Sequence, residues 1–327
     1  MLALSGDEVR ALVPMTTAIE LMKVVFAELS SGKAVSPLRT PIDVPDEAAV
    51  ALFMPAYVPS QQGLGLKIVS VFPHNRALGK PTIHALVAVI SAETGEPLAV
   101  LDGTYLTALR TGAVSGAATD LLARADSRVV TCIGAGAQGV TQAWAVASVR
   151  PIERIYVADM NPESVRTFAT RLGALAPELA DKVHGVSNLD DALAESDIVC
   201  TATTSKTPVF RDAALKAGTH INAIGAFTPE MQEIPVETVK RARIIVDAVD
   251  AVLAESGDLI IPIARGEIDR SKVSLELGQV ASGAPGRIDD DEITLFESVG
   301  NAVQDIIVAR YAVGEAERLG LGQRFSL

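Results

Sequence analysis

Apolar positions in this chain change their period near residue 125, and the change divides the sequence in two. Before it, apolar residues recur at helical spacing from Met15 to Ser31, where Thr16 or Thr17 can cap a helix and Gly32 ends it. Pro37, Pro41, Pro45, Pro55 and Pro59 then break the chain into short extended pieces. From Leu64 to Phe72 and from Ile83 to Ile90 the pattern is strand-like. Gly95 marks a hairpin turn to a further strand, Leu98 to Asp102, and Thr104 to Ala125 is helical. These elements predict a mainly antiparallel sheet flanked by helices.

Beyond Ala125, strands and helices alternate. Strands are expected at 128–133, 154–158, 182–186, 197–202, 219–224 and 243–247, with helices at 137–149, 162–174, 188–195 and 235–241. That alternation predicts an α/β fold with a doubly wound parallel sheet. After about residue 250 the pattern loses regularity. A last long helix is expected from Ile293 to Arg310, returning to the first domain. Its N-terminus would be charge-capped by the run Asp289-Asp290-Asp291-Glu292, while Asp247 and Asp250 are candidate caps near a strand end.

The run Arg128-Val129-Val130-Thr131-Cys132-Ile133-Gly134-Ala135-Gly136-Ala137-Gln138-Gly139 carries the clearest chemistry. A β-branched apolar stretch meets a Gly-x-Gly-x-x-Gly turn, and an alanine-rich helical segment follows. Gly134 permits the tight turn, Gly136 lets the backbone approach a pyrophosphate, and Gly139 lets helix and strand pack closely. The helix N-terminus then presents unpaired N–H groups and its positive dipole end to the phosphates. A second strand-like run ends in Asp159, an acid placed to bond a ribose 2′-hydroxyl. The combination predicts dinucleotide binding. A carboxylate there favours NAD over NADP, and Met160 and Asn161 supply no arginine for a 2′-phosphate.

Bulk properties narrow the classes further. The 327 residues are 49% apolar and 21% charged, as expected for a globular chain of two domains. No apolar run reaches the roughly 18–20 residues that span a bilayer. The N-terminus lacks a basic start and a long apolar stretch, so no signal peptide is expected. A net charge of −12 argues against nucleic acid or an anionic membrane as partner. Cys132 and Cys200 each lie in apolar strand-like runs, which reads as buried free thiols in a reducing cytoplasm. The four histidines, His74, His84, His184 and His220, show no ligand spacing, and no metal site is expected.

Three cations stand out. Lys67 shares a strand face with Val69 and Val71, and both faces of that strand are largely apolar, so the lysine needs an anionic partner or a ligand, unless it lies on an edge strand with its stem on apolar surface. Arg110 falls on a helical face with Leu106, Ala113, Ala117 and Leu121. Its planar fork suits a ligand carboxylate or an internal acid. Arg39, between Pro37 and Pro41 in a stiff segment, reads by itself as a surface arginine. His84, His220 and Trp144 read as packing or surface residues.

Taken together, these residues resemble the ornithine cyclodeaminase/μ-crystallin family of nicotinamide-dependent enzymes. The similarity runs through Met54-Pro55-Ala56-Tyr57, Gly63 to Val69, Leu106 to Ala113, Ile133 to Gly139, and Phe296-Glu297-Ser298-Val299-Gly300-Asn301-Ala302 with Asp305. The resemblance implies a Rossmann domain over 123–299 and a smaller α+β substrate and dimerisation domain from both chain ends, 1–122 and 300–327. It implies a homodimer. It places Arg39, Lys67 and Arg110 on the carboxylate of a small imino or amino acid, with Lys67 and Arg110 catalytic and Val299 near the substrate. It matches Thr82, Arg110, Thr111, Gly134, Gly136, Ala137, Gln138, Gly139, Asp159, Thr203, Ile221, Asn222, Ala223, Ile224 and Ser298 to cofactor contacts. The family's reductases use NAD or NADP.

One departure bears on the reaction. Deaminating members carry an aspartate where this chain has Phe227, in Gly225-Ala226-Phe227-Thr228-Pro229-Glu230-Met231. Phenylalanine cannot move a proton, but it can pack against an apolar ring. The Phe-Thr-Pro-Glu-Met run resembles the family's cyclic imine reductases, which implies hydride transfer to the C=N carbon of Δ1-pyrroline-2-carboxylate or its six-membered homologue. Two alternatives stand beside it. One is a deaminating enzyme, an ornithine cyclodeaminase or alanine dehydrogenase, with Glu230 or Glu233 replacing the aspartate. The other is a crystallin-like protein that binds nicotinamide without turnover.

Overall fold

The computed structural model describes residues 1–326. The chain forms two compact units, Met1–Arg110 with Asn301–Leu327 (unit 1) and Thr111–Gly300 (unit 2). The first run of unit 1 comprises β1 (Leu2–Leu4), α1 (Gly6–Leu12), α2 (Met15–Ser30), β2 (Thr40–Val44), β3 (Ala49–Val58), β4 (Gly63–Val71), β5 (Ile83–Ser91), β6 (Pro97–Asp102) and the start of α3 (Gly103–Leu122). Neither Thr16 nor Thr17 caps α2. Pro14 occupies the cap with no side-chain bond, its fixed φ of −60° suiting the entry, and its carbonyl accepts from Ala18 N at 3.0 Å.

The prolines do not fragment residues 40–58, as the sequence led us to expect. β2 and β3 form an antiparallel pair, and β3 runs unbroken for ten residues through Pro55. β2 begins at Thr40, opposite Phe53. Tyr57 turns its backbone N–H and C=O toward Val35 on that same side. Pro55, two residues earlier, directs its nitrogen the same way, past the start of β2, so the missing donor costs no ladder bond.

Unit 2 alternates strand and helix. Its elements are β7 (Val129–Ile133), α4 (Ala137–Val149), β8 (Arg154–Ala158), α5 (Pro162–Gly173), β9 (Val183–Gly185), α6 (Leu189–Glu195), β10 (Ile198–Thr201), β11 (His220–Ala223), α7 (Val236–Arg241), β12 (Arg243–Val246), α8 (Val249–Glu255), α9 (Gly257–Ala264), α10 (Leu277–Ala281) and β13 (Thr294–Glu297). The sheet order is β12-β13-β11-β10-β7-β8-β9, and every neighbouring pair is parallel. Ile198 and Cys200 join one apolar cluster while Val199 joins another, so both faces of the sheet are covered. The order reverses between β7 and β10, the point at which such sheets open a crevice beyond their strand C-termini.

The chain then completes unit 1 with α11 (Ala302–Leu319) and β14 (Gln323–Arg324). Here the expected helix from Ile293 to Arg310 is corrected. Residues 294–297 form a central strand, and α11 begins only after Gly300 (φ 83°) and the Asn301 cap. A short, wholly buried run does not separate a strand from a helix by its pattern. The acidic run therefore caps nothing. Asp289 Oδ1 instead accepts from the N–H groups of Asp291 (3.0 Å) and Glu292 (2.7 Å), closing a turn ahead of β13. Asp250 lies in the first turn of α8, whose cap is Ala248.

The sheet of unit 1 is ordered β14-β1-β6-β5-β4-β3-β2, antiparallel except for β1 beside β6. α11 packs on β3, β4 and β5. Gly65 makes this close approach possible: a Cβ there would sit 2.7 Å from Ile306 Cδ1 and 2.4 Å from the Ala88 carbonyl oxygen. Among the described residues no helix is long and apolar enough to cross a membrane.

Candidate active site

In unit 1, three elements bring four polar side chains into the interior. Lys67 projects from β4 and is 1% exposed; Arg110 projects from α3 and is 5% exposed. Gln304 and Asp305, both fully buried, sit in the first turn of α11. Lys67 Nζ donates to Asp305 Oδ2 at 2.7 Å, and Arg110 Nε donates to Asp305 Oδ1 at 3.0 Å. Arg110 Nη1 donates to Gln304 Oε1 at 2.6 Å, and that oxygen also accepts from Asn301 N at 2.8 Å. The capping box of α11 thus sets the guanidinium plane.

Two cations face one carboxylate, and the charge of Arg39, half-buried just before β2, also reaches Lys67. Burial, then Arg110, pushes Lys67 down to about 7, against the pull of Asp305. The cluster keeps a surplus of positive charge, which suits a small organic anion. It also keeps an ammonium close to its neutral form, which suits proton transfer near neutrality. The open choice for Arg110 between ligand and internal acid acquires a named acid, Asp305. Thr82, half-buried, lies just ahead of β5, and its carbonyl accepts from Phe72 N at 2.8 Å.

In unit 2, β7 runs into the glycine turn. Gly134 has φ 103°, and a Cβ there would sit 2.5 Å from the Ala202 carbonyl oxygen. Gly136 caps α4 with no side-chain bond, and Gly136 and Ala137 are exposed, so the first N–H groups of α4 are open to an anion. A Cβ on Gly139 would collide with the Gly134 carbonyl at 2.0 Å. Asp159, exposed at the end of β8, accepts from Ala135 N and Asn161 N, each at 2.7 Å. These features fit a dinucleotide: an open helix start for the pyrophosphate and a fixed carboxylate for the ribose.

The remaining candidates of unit 2 differ in exposure. Ile221, Asn222 and Ala223 are wholly buried in β11, and Ile224 lies at its end. Asn222 is engaged with Thr119, His220 and Cys200. Thr111 is buried, and its carbonyl accepts from Gln142 Nε2. Gln138, Thr203 and Phe227 are half-buried, while Ser298 and Val299 are buried. Ser298 Oγ donates to Asp247 Oδ2 at 2.7 Å, and Gly300 N donates to the same oxygen at 3.0 Å. Asp247 is thus a buried brace of the segment after β13 rather than a cap. His220, wholly buried, is pushed down to about 3 and stays neutral. Cys132 and Cys200 are free and buried. Glu230 is exposed, and Glu233 is fully buried on backbone donors.

The sequence is matched over residues 2–318 by the Ornithine cyclodeaminase/mu-crystallin family. The chain belongs to that family. Among its relatives, a Δ1-pyrroline-2-carboxylate reductase of Bacillus cereus is 40% identical over 326 residues, 99% of each chain. The structure of the Thermococcus litoralis Δ1-pyrroline-2-carboxylate reductase, in complex with NADH and L-proline, superposes with TM-score 0.94 at 40% identity, covering 99% of this chain and 100% of that one. An archaeal alanine dehydrogenase dimer with bound NAD gives TM-score 0.91 at 33% identity, covering 100% and 99%. Sequence reasoning had given no role to two residues of this family member, Gln304 and Asp305. The signal for both was present: a Gln and an Asp three and four residues after an Asn cap, in the first turn of an otherwise apolar helix start.

Proposed function

We propose that this chain is an NADH-dependent reductase of a cyclic imino acid, converting Δ1-pyrroline-2-carboxylate to L-proline and accepting the six-membered homologue. The observation that carries the proposal is Phe227 in the place of a proton-transferring aspartate, in a chain that keeps the buried Lys67–Arg110–Asp305 cluster. The 40% identity to reductases of that name favours the same reaction.

In this proposal Arg39, Lys67 and Arg110 hold the substrate carboxylate by charge-assisted hydrogen bonds. Asp305 and Gln304 fix the direction of both donors. Lys67, with its proton held weakly, delivers it to the ring nitrogen. Phe227 and Val299 face the ring carbons. The glycine turn holds the pyrophosphate, and Asp159 bonds the ribose. Thr82, Thr111, Gln138, Thr203, Ile221 to Ile224 and Ser298 line the remainder of the cofactor. When bound, the reduced nicotinamide supplies hydride to the C=N carbon. No strong base is needed, because a protonated imine is already electrophilic. Residues 123–299 would serve the dinucleotide; 1–122 and 300–327 would serve substrate and dimerisation.

We further propose a cytoplasmic homodimer that also accepts NADPH. The exposed apolar residues Ile42, Tyr57, Ile83 and Leu86 on β2, β3 and β5 fit a subunit contact, as does the dimeric alanine dehydrogenase. Oxidation of NADH and NADPH with Δ1-pyrroline-2-carboxylate, its six-membered homologue, L-ornithine and L-alanine plus cofactor tests the reaction. Turnover of the imines supports it. Ammonia release from ornithine or alanine without imine reduction rejects it.

A further inference from the structure

Glu233 lies in the segment between β11 and α7 and is completely buried. Its carboxylate gathers three donors. Oε1 accepts from Thr203 N at 2.6 Å, and Oε2 accepts from Thr201 Oγ1 and Gly225 N, each at 2.9 Å. Thr201 ends β10, and Gly225 follows the end of β11 by two residues. One side chain therefore clips together the carboxyl ends of two adjacent strands, where parallel sheets place their ligands. The fit is close: a Cβ on Gly225 would sit 2.4 Å from Glu233 Oε2.

The backbone of the same residue is held from behind. Glu233 N and Ile234 N both donate to Asp258 Oδ1 at 2.7 Å, and Glu233 O accepts from Val209 N at 2.8 Å. The turn between is pressed against the start of α9, where a Cβ on Gly257 would sit 2.1 Å from the Met231 carbonyl oxygen. Phe227 stands on this doubly fastened turn. The charged groups facing Glu233 and Asp258 are carboxyls: each other and Glu297, which accepts from Ser256 Oγ at 2.6 Å and itself faces Asp247. Burial, then the charge of Glu233, pushes Asp258 up to about 8; burial also pushes Glu233 upward, while the donors at Thr203, Thr201 and Gly225 pull it back toward the anion.

We infer that Glu233 is a positioning residue: its carboxylate fixes the turn that presents Phe227, and thereby sets which ring the enzyme prefers. This rests on the proposed role of Phe227 against the substrate ring. Glutamine cannot replace the carboxylate, although it has the same shape. In either orientation its NH2 group faces a backbone N–H, that of Thr203 or that of Gly225. A valine at position 201 removes only the hydroxyl donor.

The test compares wild type, E233Q and T201V as full-length protein. Two readouts are used: steady-state kinetics on five- and six-membered cyclic imines with NADH, and amide hydrogen exchange over residues 201–205 and 224–233. E233Q should raise KM for the imines roughly 10- to 100-fold, with a smaller change in kcat, and flatten the preference between ring sizes. Exchange should quicken in both segments and nowhere else. T201V should move the same quantities in the same direction by less, and it decides the matter if E233Q does not fold. Unchanged KM and ring preference, or unchanged exchange in those segments, overturns the inference. A wild type inactive on both imines removes the proposed reaction instead, and exchange alone then decides whether Glu233 fastens the turn.

Discussion

Lys67 Nζ and Asp305 Oδ2 lie 2.7 Å apart in the interior of unit 1, although 238 positions separate them in the chain. Arg110 shares the same carboxylate. Removing one member of such a group leaves buried charge without compensation, which costs more than the pair itself contributes.

D305N should therefore destabilise unit 1 by about 3–5 kcal/mol and abolish most imine reduction. Chemical denaturation and kcat/KM measure the two effects. Wild-type stability in D305N would show that the carboxylate is not compensating buried cations.

Lys67 yields a pH dependence with a definite sign. Held down to about 7, it loses its proton as pH rises through that value, and with it the proposed cationic grip on the carboxylate and the proposed proton for the ring nitrogen. kcat/KM for imine reduction should fall above about pH 7. In K67R that limb should vanish, because a guanidinium stays charged, at a cost of about 10²–10⁴-fold in rate if the proton comes from Lys67. For stability the unfolded chain binds the extra proton between about 7 and 10.5, so this group's contribution rises with pH across that window. An alkaline limb unchanged in K67R would assign it to another group.

Asp258 works in the opposite sense. Its folded value of about 8 lies above the usual 3.8, so the folded state holds the proton longer. The associated stability is full below about pH 4 and is lost as pH rises through about 8. Thermal unfolding of wild type against D258N should show a steeper decline toward alkaline pH than in the variant, which keeps the raised carboxyls of Glu233 and Glu297. Parallel curves would remove Asp258 as the source.

Phe227 is expected to act through contact area alone. F227A should raise KM for Δ1-pyrroline-2-carboxylate by about 10-fold, the equivalent of one buried apolar contact, with kcat changed less. Steady-state kinetics with NADH in excess measures it. A loss confined to kcat would point to chemistry at this position.

Asp159 accepts two backbone N–H groups and is proposed also to bond the ribose, and one substitution separates these duties. D159S should raise the ratio of NADPH to NADH use by about 10-fold, since repulsion of a 2′-phosphate is relieved. It should also lower kcat/KM with both cofactors, because Ala135 N and Asn161 N lose their acceptor. An unchanged ratio would take Asp159 out of the ribose site.

The parallel sheet was legible in the sequence because its signals are local. The glycine turn, the apolar runs and the alternating periods each lie within one or two elements. The long helix after Pro14 was legible for the same reason. Residues 40–58 were not, because proline reads as a breaker unless it is known that no neighbouring strand needs its N–H. β13 was not, because four consecutive buried positions, two of them apolar, fit either period. The cations at 67 and 110 were visible as anomalies on apolar faces. Their shared acid was visible only as a letter in a motif, since nothing local joins residue 305 to residue 67. Glu233 was noticed only as a stand-in acid; its three donors converge from the end of β10 and the segments that follow β10 and β11.

Unit 1 is closed by α11 and β14, which follow unit 2 in the chain, and this bears on synthesis. Unit 2 is continuous and has all its strands once residue 300 has left the ribosome. Lys67 and Arg110 must wait for Asp305, and α11 must descend onto Gly65 before the lysine can be buried with a counter-ion. The nascent protein is thus expected to complete unit 2 first and to complete unit 1 only after α11 has emerged.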